Sequence, residues 1–166
     1  MSNQPAHDDS DLLGEDAPWD QEFVSRLARA LHERYRRERA AAGDATARTW
    51  EELPAPFRAS NLEHAEHIRV KLAALGCRAV SGPAPDGEQF TLTDDEVTQL
   101  ARMEHDRWVD ERLEGGWKDG PRDFHHRTTP SLVTWDQLSE EMREVDRLFV
   151  RAIPGVLAEL GYRVER

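Results

Sequence analysis

Cysteine is nearly absent from this chain. With Cys77 alone, no internal disulfide can form, and the expected setting is a reducing cytoplasm. Long apolar runs are missing too, and the first residues show no basic-then-apolar pattern. Neither a membrane-spanning helix nor a secretory leader is therefore expected. Positive charge is scarce: 22 Lys and Arg face 33 Asp and Glu, a formal net charge of −11. That balance argues against nucleic-acid polymers and anionic membranes as partners, because both require basic surfaces. It still permits a small anion in a locally basic pocket. Signals for a metal site are weak: His64 and His67, three apart on one helix beside Glu63, have a possible metal-ligand spacing and little more. His64 and His67 read as a solvated helix face, and His125 and His126 as loop histidines without a cysteine partner, so no metal and no cofactor is expected.

What remains is mostly helical periodicity. Residues 1–18 are polar and acidic and read as a disordered tail. A helix is expected over 20–41, with Val24, Leu27, Ala28 and Leu31 on its stripe. A second runs from about residue 54 or 57 to Leu75, where Gly76 serves as a left-handed terminator. Residues 81–92, rich in Pro and Gly, read as a linker. Thr93-Asp94-Asp95-Glu96 is a capping-box pattern that starts a third helix. A last helix is expected over 139–160, with Pro154 kinking it and Leu148 among its inward residues.

The two halves match each other. Leu27 to Tyr35 mirrors Leu100 to Trp108 at an offset of 73, and Thr49-Trp50 mirrors Thr134-Trp135 at an offset of 85. The second offset continues through Ile68/Ile153, Leu72/Leu157 and Leu75-Gly76/Leu160-Gly161. The expected fold class is therefore mainly α: a tandem, pseudo-two-fold pair of helix–loop–helix repeats with short extended segments. The first repeat occupies 19–80 and the second 93–166. About twelve extra residues, near Gly115 to Pro130, belong to the second copy alone. That copy also carries Glu104 where the first has Leu31, and Trp108 where the first has Tyr35.

The third helix places Val97, Leu100, Ala101, Glu104, His105, Trp108 and Arg112 on one stripe. Glu104, His105 and Arg112 do not suit a core. They face either a polar cleft or an internal salt-bridge network.

The order Glu104-His105-Asp106-Arg107-Trp108, Gly116-Trp117-Lys118-Asp119-Gly120, Thr129 to Leu138, and a helix ending Leu160-Gly161-Tyr162 resembles the RyR domain. This is the repeat named after ryanodine receptors and found also in bacterial proteins. Residues 20–80 look like a degenerate copy without the Gly-Trp-x-x-Gly loop. The resemblance implies a compact helical module, not an enzyme, with no catalytic residues. It also implies recognition of a nucleotide or nucleotide-derived ligand. The residues suit that chemistry. Trp108 offers a face to a base, glycines such as Gly120 let backbone N–H groups approach a phosphate, and Arg112, Lys118, Arg122 and Arg127 supply positive charge. Glu104, His105 and Trp117 complete the candidate site. Trp117 and Trp135 also read as core anchors.

Three functions compete. The first is a small-molecule binding or sensor module. The second is an adaptor whose Trp-rich surface docks a protein partner. The third, a nucleotide hydrolase, rests on Asp123, His125 and Ser131, which have triad residue types but no nucleophile turn.

Overall fold

The computed structural model describes residues 14–166. The expected tail lies outside the described residues up to 13. Its last residues do not behave as tail: Glu15 and Ala17 make backbone hydrogen bonds with Ser81 and Ala79, and Ala17 is buried.

Helix α1 (Gln21–Ala41) starts where Asp20 accepts a hydrogen bond from the Phe23 N–H at 2.8 Å. Helix α2 (Ala55–Ala74) follows Pro54, whose fixed φ suits a helix start, and ends at Gly76, whose φ of +69° no β-carbon opposes. Strand β1 (Arg78–Ser81) comes next. Helix α3 (Asp94–Glu114) carries the full capping box at Thr93 and Glu96. The extra loop contributes β2 (Lys118–Asp119) and β3 (Thr128–Thr129), a two-residue parallel pair. The expected last helix divides into α4 (Glu140–Arg151) and α5 (Ile153–Glu159), with Pro154 in the first turn of α5, where its missing N–H costs nothing. Leu148, expected inward, is half exposed because it lies on the outer face of α4. Strand β4 (Tyr162–Glu165) closes the chain by pairing antiparallel with β1.

The molecule is thus mainly α with short extended pieces. The helices of the two halves share one hydrophobic core that includes Leu27, Ile68, Leu72, Leu100, Ile153 and Leu157. Several contacts recur at the sequence offsets. His32 Nε2 meets the Arg48 carbonyl at 2.7 Å, and His105 Nε2 meets the Val133 carbonyl at 2.7 Å. Thr49 with Glu52, and Thr134 with Gln137, form the same reciprocal cap. Gly161 ends its helix with φ +90°, as Gly76 does with +69°. In the antiparallel ladder Ala79 faces Val164, its own counterpart at an offset of 85. Among the described residues, no helix is long and apolar enough to cross a membrane.

Candidate functional site

Glu104 is buried on α3, and its carboxylate is not free for a ligand. Lys71 of α2, completely buried, donates to it at 2.8 Å. Arg107, one turn on, donates at 2.8 Å through Nη2. His64 of α2 brings Nδ1 to within 2.9 Å of the same carboxylate. Burial alone would raise this carboxyl, but His64, Lys71 and Arg107 outweigh it and hold the group well below the ordinary carboxylate range. Burial pushes the Lys71 ammonium down, and Glu104 opposes that push. Of the two alternatives for the polar stripe, Glu104 belongs to the internal network. That network ties α2 of the first half to α3 of the second. By the sequence offsets, the counterparts of Glu104 and Lys71 are Leu31 and Val156, both buried apolar residues.

His64 and His67 also depart from the solvated face expected of them. His64 is buried, and His67 accepts the Lys71 ammonium at 3.0 Å through Nδ1. Burial first, and the nearby Lys71 charge second, lower the His67 imidazole to about 4.

Beside this network opens a cavity of about 320 Å³, bounded by α2, α3, α4 and the extra loop. Of the expected site residues, Glu104, His105, Trp108, Arg112 and Arg122 line it. Arg112 stands out. Its guanidinium carbon lies 5.2 Å from the Trp108 ring and 4.8 Å from the Trp117 ring. The side chain is only 14% exposed, and its nearest carboxylate oxygen, on Glu111, is 3.8 Å away. No hydrogen bond to the guanidinium is formed among the described residues. Burial pushes this group below the usual arginine value. This cation, held between two indoles, has little direct charge compensation.

Trp108 lines the cavity and is also held from within the fold. Its ring is engaged by Arg112 and, at 6.1 Å between centroids, by His105. Trp117 lies outside the cavity lining, behind Arg112, and the part-buried ring also meets Phe124 at 5.7 Å. Trp135 is a core anchor. Lys118, Gly120 and Arg127 are outside the lining as well. Lys118 is exposed on β2, Gly120 lies against the Thr128 side chain, and Arg127 donates to the Gly115 carbonyl at 3.1 Å. These three stabilise the loop that carries Arg122.

The opposite wall was not foreseen. It comprises His64 and Asn61 from α2, and Met142, Asp146 and Phe149 from α4. Asp146 is 17% exposed on its side chain, and its nearest cationic partner atom is His105 Nδ1 at 3.6 Å. Burial is the main cause that pushes this carboxyl up to about 7, with the Glu104 charge adding to it. The missed signal was polar residues at core positions: His64 and Lys71 share the stripe of Ile68, and Asp146 sits between Met142 and Phe149.

Among the described residues, no group of three or more potential metal ligands is present. Asp123 holds His126, not His125, at 2.6 Å in an exposed turn.

The described residues form a mainly helical module with a buried charge network and a side cavity. The comparison with known families makes this specific: residues 86–166 match the family model of the RyR domain, and this half of the chain is an RyR domain. The match begins slightly before the expected start at 93. No curated protein matches the chain.

Proposed function

We propose that the cavity between α2, α3 and α4 binds a small anionic ligand, most simply a nucleotide or nucleotide derivative. The observation that carries this reading is Arg112, desolvated between Trp108 and Trp117 on the cavity wall without a carboxylate in hydrogen-bonding reach. Arg122 lines the same cavity and adds a second cation. The volume of about 320 Å³ lies at the lower end of ordinary ligand pockets, roughly 300–1,000 Å³. Leu138, Met142 and Phe149 supply apolar wall for a planar group.

The same proposal assigns the two halves different work. The counterparts of Trp108 and His64 are Tyr35 and Phe149, whose rings stack at 5.4 Å. At the place made by Tyr35 and Phe149 the two rings pack on each other, whereas Trp108 and His64 line the open cavity. A protein-adaptor role is the second reading. It is favoured by Phe124, half exposed and stacked on Phe57 at 4.8 Å.

Thermal-shift and calorimetric titration with mononucleotides and cyclic dinucleotides tests the first reading, since specific binding raises the melting temperature. Arg112→Met should keep the fold and weaken binding by about 10- to 100-fold, as loss of a charge-assisted hydrogen bond does. Unchanged affinity in Arg112→Met would remove the anion site from the cavity. Retained binding of a partner protein by that variant, lost in Phe124→Ser, would favour the adaptor.

A further inference from the structure

Three hydrogen-bonding groups on the cavity wall, beside donors such as Asn61 and Arg107, have the same sense. His105 Nε2 lies 2.7 Å from the Val133 carbonyl oxygen, so this nitrogen carries the proton. In the neutral imidazole, Nδ1 is then a bare acceptor. His64 Nδ1 lies 2.9 Å from a Glu104 carboxylate oxygen, although off the line of a strict hydrogen bond. A lone pair facing a carboxylate at that distance would be repelled, so the proton sits on Nδ1. Nε2 is left as a second bare acceptor. That Nε2 has no partner among the described residues, on a side chain only 7% exposed. Asp146 supplies a third acceptor group, with His105 Nδ1 as its nearest charged-pair atom at 3.6 Å. All three residues line the one cavity. A buried acceptor without a donor, as His64 Nε2 is, costs free energy, and a ligand that supplies the donor removes that cost.

Building on the cavity proposed above as a ligand site, we infer that its inner end reads hydrogen-bond donors. It takes an amino or amidine group of the ligand on Asp146, His64 Nε2 and His105 Nδ1, while Arg112 and Arg122 hold the anionic end. The ligand is thus polar at both ends with opposite sense, as an amino-bearing nucleobase phosphate is. Burial brings this carboxyl up to about 7, so it is an all-acceptor carboxylate above that pH. The groups facing it are His105, Glu104 and Arg107 from α3 and Lys71 from α2. Neither the Lys71 nor the Arg107 cation is within hydrogen-bonding reach of it.

The test uses three probes on the unmodified chain and on Asp146→Leu: adenosine monophosphate, purine riboside monophosphate, which lacks only the amino group, and benzamidine. The expected result is that adenosine monophosphate binds about tenfold or more tighter than purine riboside monophosphate, a ratio that approaches one in Asp146→Leu. Benzamidine should protect the unmodified chain and not the variant. If the two nucleotides bind equally, donor reading is overturned while nucleotide binding stands. If neither nucleotide binds but benzamidine protects through Asp146, the nucleotide reading fails and donor reading holds. If no probe binds, donor reading is overturned. Asp146→Leu removes a buried carboxyl without a close cation, so its fold is expected to survive, and circular dichroism checks that.

Discussion

Replacing Glu104 with leucine copies what the first half holds at Leu31, and from the sequence that exchange looks harmless. The structure reverses the expectation. Leucine would strand the Lys71 ammonium, fully buried and bonded to Glu104 at 2.8 Å. Breaking one side of such a pair costs about 3–5 kcal/mol. Urea denaturation of Glu104→Leu should show that loss. Adding Lys71→Val, which copies Val156, should recover most of it, because the pair then becomes the apolar pair of the other half. A double variant no more stable than the single one would show that Lys71 is compensated elsewhere. Asp146 gives a second test at this scale. Its carboxyl lies near 3.8 when unfolded and is pushed up to about 7 when folded. The folded chain thus binds more protons between those values, and the group's contribution to stability falls as pH rises from about 4 to about 7. His67, lowered to about 4 from 6.5, has the opposite slope below pH 6.5. Stability profiles of Asp146→Asn and His67→Gln should differ from the parent in opposite directions over pH 4–6.5. Parallel profiles would mean that one of the two is not desolvated in solution.

Among the elements, α3 carries the most and was the easiest to read. Its capping box, its stripe of Val97, Leu100 and Ala101, and its end before Gly115 all follow local rules. Thr93→Ala should cost about 1 kcal/mol in a denaturation curve. A much larger loss would mean that Thr93 serves more than the cap. The pairing of β1 with β4 escaped the sequence reading because each strand has only four residues. Their alternation is too short to register, and their partners lie more than 80 positions away. The extra loop was legible as an insertion but not as a clamp. Trp117 reaches Arg112 because the chain turns back at Gly116 after α3, where the Trp117 N–H donates to the Arg112 carbonyl at 2.9 Å. Trp117→Ala should loosen Arg112, so it should weaken anion binding while leaving the denaturation midpoint near that of the parent. A collapsed midpoint would make Trp117 the core anchor that the sequence also allowed.

At the scale of the whole molecule, the helices of the two halves fold as one body. Ile68 and Leu72 share a core with Ile153 and Leu157, and the buried ion pair of Lys71 and Glu104 crosses between the halves. One cooperative transition is expected in thermal unfolding, with fluorescence and circular dichroism tracing the same curve. Two resolved transitions would show that the halves are energetically separate. Periodicity, caps and turn residues belong to single stretches of chain, so the sequence by itself determined the helices, their ends, the mainly α class and the family of the second half. The cavity has another origin. His64 and Asn61 come from α2, Arg112 and Trp108 from α3, and Asp146 from α4, so no local pattern joins them. Whether a polar residue on a helical stripe meets a cation or a cavity depends on what the neighbouring helix places opposite. Only tertiary packing decided that Glu104 is neutralised by Lys71 while Arg112 and Asp146 are left with little compensation.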